Sequence, residues 1–328
     1  QRFGALFMFL MRSTFEIQDY FYLEPVNQMS KYGNMTEQNY KKKNEIYFRC
    51  IVNFFKSSIY HNPNSKHYFI CNETQHLNFI PDFDFIRFCN DNNIVIINKA
   101  PHYTKPTEKW AGSMYFFDSV DSIETQYLPS SSEDDLYLFF DNDVIINGDL
   151  SVYFQNKNEY QWFAYDISDE IRKKPSFHGV DLKQMNKKFT VIGGEAVGLR
   201  GKFITPFMNN FRTLYQKIDN FYTEEHYLSQ ILSVNLIDEY SGLYINDTCK
   251  RIWTNVSNNN VDENDKQLRI LHLPSEKEYG LYWLSKHLLK NSGYSPDDVL
   301  KIIGIPKKTT STKMRFYIKK ISKRLEVR

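Results

Sequence analysis

DDLYLFFDNDVIINGDL, residues Asp134 to Leu150, is the stretch whose reading decides the fold. Leu136 to Phe140 is a short apolar run rich in aromatics and bounded by acids on both sides. It predicts a buried strand that delivers Asp141 and Asp143 at its C-terminal edge. A second apolar triplet, Val144-Ile145-Ile146, follows at once. Two carboxylates so placed cost desolvation energy unless something positive lies between them, and a hard divalent cation with oxygen ligands fits that need. The pattern Asp-x-Asp carries little weight alone. Asp82-Phe83-Asp84 shows it too, but follows Pro81 and leads into FIRFCNDNN, a helix start where acids simply favour the helix dipole.

Upstream, apolar runs alternate with helical patterns. Gly4 to Met11 predicts a first strand, Thr36 to Ser58 a long helix with Ile46, Cys50 and Phe54 on one face, and His67 to Cys71 a strand. Phe83 to Cys89 then predicts a short helix, Ile94 to Ile97 a buried strand, and Glu108 to Ile123 a helix leading to the acidic strand. This alternation predicts an α/β fold of parallel crossover units, an open sheet covered on both faces, with ligands at the carboxyl ends of its strands. Lys109 and Trp110, at the start of the last helix, are placed to approach a ligand held there.

Downstream, Tyr160 to Tyr165 predicts a strand, and the polar stretch from Ser168 to Lys188 a surface excursion able to order over a ligand. In TVIGGEAVGLR, Thr190 to Arg200, the pair Gly193-Gly194 marks a place where backbone passes close to a ligand or another strand. Glu195 directly after it needs a polar partner if the strand is buried. Pro206 to Ile218 predicts a helix. Thr223 predicts the N-cap of another, running to about Val234, whose first turn suits Glu224 and Glu225 electrostatically. In RILHLPSEK, Arg269 to Lys277, His272 ends an Ile-Leu strand as Asp141 ends its own, and Lys277 can reach the same edge. Trp283 to Lys290 predicts the helix that closes the body, while Asp297-Asp298 behind Ser295-Pro296 predicts another helix start.

A chain of 328 residues suffices for one large domain or two small ones. Its net charge of +2 conceals an asymmetry: Lys307 to Arg328 holds nine basic residues against one Glu, leaving the first 306 residues at 32 basic to 38 acidic. A mildly acidic body argues against a nucleic-acid surface. In the tail, Met314, Ile318, Ile321 and Leu325 recur at helical spacing between Lys and Arg, a basic amphipathic helix suited to an anionic membrane surface. Cys50, Cys71, Cys89 and Cys249 have no CxxC spacing and read as reduced thiols. The apolar run from Phe3 to Met11 is too short to span a bilayer. The expected location is cytoplasmic and peripheral to a membrane, or the Golgi lumen if an anchor lies upstream of Gln1.

Together, LYLFF with Asp141-Asn142-Asp143, then Gly193-Gly194-Glu195, then Glu224-Glu225-His226 opening a helix, then His272 with Lys277, resemble the metal-dependent glycosyltransferases of the GT-A fold. Order and spacing are most similar to glycosyltransferase family 8, whose bacterial members also carry a basic, membrane-associating tail. The resemblance by motif covers roughly Asp134 to Lys290. It implies a Rossmann-like catalytic domain over 1–290, with a nucleotide-binding half to about 150 and an acceptor half from 151, and a helical basic tail over 291–328. It further implies Mn²⁺ or Mg²⁺ on Asp141, Asp143 and His272, and the diphosphate of a UDP-hexose on the metal and Lys277. Gly193, Gly194 and Glu195 would then line the donor sugar and the glycan or glycolipid acceptor. Glu224 and Glu225 stand where inverting enzymes keep a base, whereas the His272/Lys277 pair leans towards retention. FFDNDVI also resembles the nucleophile motif of haloacid-dehalogenase-type phosphatases, and a glycan- or nucleotide-binding module without catalysis is the non-enzyme alternative.

Overall fold

Strand and helix alternate along the first half of the chain, as its apolar runs predict. The computed structural model describes residues 15–24, 39–105, 111–171, 176–177, 180–181, 190–218, 223–235, 240–253, 261–291, 293–308, 310, 313–314 and 317–318. Its elements begin β1 (Phe15–Phe21), α1 (Tyr40–His61), β2 (Lys66–Cys71), α2 (Phe85–Asp91), β3 (Ile94–Asn98), α3 (Ala111–Gln126) and β4 (Leu136–Phe140). β5 (Val144–Ile146), α4 (Leu150–Phe154), β6 (Trp162–Asp166), α5 (Ser168–Ile171), β7 (Ser176–Phe177), β8 (Val180–Asp181) and β9 (Ile192–Arg200) follow. The chain continues through α6 (Gly201–Lys217), α7 (Glu224–Gln230), β10 (Gly242–Tyr244), β11 (Cys249–Arg251), β12 (Ile270–His272), α8 (Gly280–Lys290) and α9 (Pro296–Ile303).

Polar side chains start several helices. Asn39 caps α1 by accepting the Lys42 N–H at 3.1 Å, and Ser295 caps α9 ahead of Pro296. Asp84 accepts the Arg87 N–H at 3.0 Å, so the acidic pair Asp82/Asp84 serves a helix start, as predicted.

Among the described residues, seven strands form a mostly parallel, Rossmann-like sheet in the order β10-β6-β9-β4-β1-β2-β3. β4, β1, β2 and β3 are mutually parallel, and β10 is parallel to β6. β9 runs against both β4 and β6, a reversal the sequence does not predict, because apolar periodicity marks a strand without fixing its direction. From β1 the chain steps outward to β3 and then returns to the other side of β1 as β4. The helices divide accordingly: α1 and α2 pack Phe48, Phe54 and Phe85 on one face, while α3 and α6 pack Phe117, Phe207 and Phe211 on the other. Strand order reverses between β1 and β4, the kind of switch point at which open α/β sheets bind ligands beyond the carboxyl ends of their strands.

A smaller sheet, β11-β12-β5, continues from the end of β4. Its Ile145 and Leu271 pack with Cys50 of α1, Leu281 and Leu284 of α8, and Val299 and Ile303 of α9.

Several expectations need correcting. β1, with Glu16, Gln18 and Asp19 buried among its apolar residues, is not foreseen. α6 starts at Gly201 and carries Pro206 inside it, rather than starting at Pro206. Thr223 occupies the N-cap position of α7, but its hydroxyl meets His226 Nδ1 at 3.2 Å instead of capping. α7 ends at Gln230, and a π turn takes over from Ile231 to Asn235. Gly4 to Met11, Lys109, Trp110 and the basic residues Lys319 to Arg328 lie outside the described residues. Of the tail, Met314, Tyr317 and Ile318 are helical and exposed. No helix among the described residues is long and apolar enough to cross a membrane.

Candidate metal centre

β4 stops at Phe140 because the chain turns there. The Val144 N–H donates to the Asp141 carbonyl at 3.1 Å, so Asp141 and Asp143 leave one tight turn together. The Asp141 N–H donates to the Glu195 carbonyl of β9 at 3.2 Å, fixing that turn to the large sheet. β5 then enters the small sheet antiparallel to β12, in the register that sets Val144 opposite His272. The Leu273 N–H donating to the Asp143 carbonyl at 3.0 Å extends the pairing to the turn itself. This register brings His272 to the aspartates across a long sequence separation. Its Nε2 lies 3.3 Å from Asp143 Oδ1 and 3.7 Å from Asp141 Oδ2. One donor atom from each of Asp141, Asp143 and His272 falls within 4.8 Å of the others.

Lys277, on the turn after β12, pairs with Asp143, and the Tyr20 hydroxyl at the end of β1 donates to Asp141 at 3.3 Å. Asp143 and His272 are buried, while Asp141 is partly buried, with 35% of its side chain exposed. Burial would raise the Asp143 carboxyl, but Lys277 and His272 hold it well below the usual carboxylate range. Burial and the neighbouring Asp143 push Asp141 up to about 6. For His272, burial opposes the charge, yet Asp143 and Glu195 overcome it and raise the ring to about 9. His272 and Lys277 are thus the basic partners that face the two aspartates.

A second layer stands behind. Glu195 is fully buried and forms a two-point ion pair with Arg251 of β11: Nε to Oε1 at 2.8 Å and Nη2 to Oε2 at 2.8 Å. The same Nη2 reaches Glu225 Oε1 at 2.7 Å, and Glu195 Oε1 also faces His272 Nδ1 at 3.3 Å. The paired glycines make room for acids. A Cβ on Gly193 would collide with the Glu195 carboxylate, and one on Gly194 with Glu224. Glu224 is buried with Oε2 unpartnered, and burial together with Glu225 pushes it up to about 8. Asp19, on β1, is also buried with both oxygens unpartnered, and burial raises it well above its ordinary value, with Asp141 and Asp143 adding to the effect.

The fit to a divalent cation can be judged from this charge balance. Six carboxyl groups, Asp19, Asp141, Asp143, Glu195, Glu224 and Glu225, gather around three cationic side chains, His272, Lys277 and Arg251. Acids thus outnumber cations here, and among the described residues Asp141, Asp143 and His272 offer two oxygens and one nitrogen to an ion, a donor set that fits a divalent cation.

Of the residues singled out in the sequence, the fold gathers Asp141, Asp143, Gly193, Gly194, Glu195, Glu224, Glu225, His272 and Lys277 into one neighbourhood. Arg251, Tyr20 and Asp19 are the members that sequence reading missed. A buried Glu195 demands a cation, but nothing in CKR points to Arg251 as the one that answers. Set against known proteins, the chain matches no family model and no curated protein.

Proposed function

We propose that the chain is a metal-dependent glycosyltransferase of the GT-A type, moving a hexose from a UDP-hexose to a hydroxyl of a glycan or glycolipid. The observation that carries this reading is the Asp141/Asp143/His272 cluster beside Lys277, at the carboxyl end of the strand where the sheet order reverses. Asp141, Asp143 and His272 would hold Mn²⁺ or Mg²⁺, which when bound offsets the charge that develops on the departing nucleoside diphosphate. Lys277, which pairs with Asp143 beside the cluster, would supply a second positive charge for the same phosphates. Gly193 and Gly194 keep the backbone low beside the glutamates, where the sugar would lie. The tail, through exposed Met314, Tyr317 and Ile318, would bring this site to an anionic membrane surface carrying the acceptor.

Retention of configuration is favoured over inversion. An inverting enzyme needs a ready base for the acceptor hydroxyl. Glu195 and Glu225 are both gripped by Arg251, and burial together with Glu225 raises Glu224 well above the ordinary carboxylate range, which favours its neutral form. A phosphohydrolase of the haloacid-dehalogenase type would need a later acidic pair at a strand end. Here Asp297-Asp298 opens α9 behind the Ser295 cap.

The test is release of UDP from a panel of UDP-hexoses, with Mn²⁺ or with EDTA. UDP release that needs the metal and falls at least 100-fold in Asp143→Ala supports the reading. Hydrolysis of phosphate monoesters with no UDP-hexose consumed overturns it.

A further inference from the structure

A histidine that binds a metal through one ring nitrogen must keep its proton on the other, and the partner of that second nitrogen sets the tautomer, the ring orientation and the basicity of the ligand. Here Nε2 of His272 faces Asp143 at 3.3 Å and Asp141 at 3.7 Å, so Nδ1 is the nitrogen left for support. Its neighbour is Glu195 Oε1 at 3.3 Å. Glu195 is fully buried on β9, so the direction of its carboxylate is set by the side chains that touch it. Arg251 sets it, with two hydrogen bonds of 2.8 Å that fix the plane of the Glu195 carboxylate. The third bond of that guanidinium, 2.7 Å to Glu225, ties the assembly to the first turn of α7. Arg251 and His272 are themselves register partners on β11 and β12, so the guanidinium and the ring are set by one strand pairing.

We infer that Arg251 is a positioning residue of the metal centre. Through Glu195 it fixes His272 with Nδ1 protonated and Nε2 turned to the ion, and through Glu225 it holds α7 in register with that ring. Glu195, on this view, works through His272 rather than on substrate. The inference rests on the metal reading above, and a metal titration separates the two.

Mn²⁺ dissociation constants would be measured by the electron paramagnetic resonance of the free ion. The full chain would be compared with Arg251→Lys, which keeps the charge and loses the fork, and with Glu195→Gln, which keeps the shape and loses the charge. His272→Ala and the double variant Arg251→Lys/His272→Ala complete a cycle. Folded Arg251→Lys and Glu195→Gln should each bind Mn²⁺ roughly 10- to 100-fold more weakly, although neither position contributes a ligand. On the His272→Ala background, Arg251→Lys should change binding less than about twofold, because its effect passes through the ring. If Arg251→Lys does not fold, Glu195→Gln carries the same comparison. Unchanged affinity in a folded variant, or the same loss with and without His272, overturns the inference and leaves the metal site standing. Absence of Mn²⁺ binding by the unaltered chain overturns both.

Discussion

At His272, Asp143 and Glu195 favour the protonated ring, whereas a divalent ion would take it as a neutral ligand. Its pairing with Asp143 and Glu195 raises it from 6.5 to about 9. That pairing contributes stability fully present below the unfolded value and lost as pH rises through the folded one, so thermal melts of the metal-free protein should show a decline between about pH 6.5 and 9. Metal binding runs the other way. The ion must displace the proton, so Mn²⁺ affinity should climb over the same window, by at most about tenfold per pH unit. An affinity that falls with rising pH would remove His272 from the ligand set. Glu224 makes a second prediction at this scale. Because burial beside Glu225 raises its carboxyl to about 8, Glu224→Gln should retain most transfer activity at pH 7; a loss of 100-fold or more would mark it as a base and favour inversion.

The elements place these residues. All five residues of β4 are buried, and truncating Phe140, packed against Phe54 of α1, to Ala should cost about 3–5 kcal/mol, read as a lowered unfolding midpoint in denaturant. At Gly194, β9 lies against Glu224 of α7. An added methyl would meet Glu224, so Gly194→Ala should cost about 1–3 kcal/mol in the same measurement and raise the KM for the donor. Much of this scale was legible from residues alone. β4 emerges with its predicted ends because an unbroken apolar run is bounded by acids on both sides. Gly193-Gly194 signalled a close approach, and Glu195 signalled a missing partner. What sequence does not encode locally is direction and register. β9 reads as a strand whichever way it runs, and the pairing of β5 with β12 that brings His272 to Asp143 is settled by the whole fold. β1 escaped notice because three of its buried residues are polar, and their burial follows from neighbours distant in sequence.

Across the whole molecule, the candidate metal centre joins two sheets: Asp141 hangs from the large one, Asp143 leads into the small one, and His272 returns from the small one. An ion bound there would bridge the sheets and stabilise the native state alone. At a concentration 100-fold above its dissociation constant it should add about 2.7 kcal/mol, visible as a raised melting temperature that Asp143→Ala abolishes. The most direct measurement of the central claim is a calorimetric titration of the protein with UDP, with and without Mn²⁺, beside Asp143→Ala. Binding that requires Mn²⁺ and disappears in the variant is the predicted result. UDP binding that ignores both the metal and the substitution, or no UDP binding with Mn²⁺ present, would contradict it.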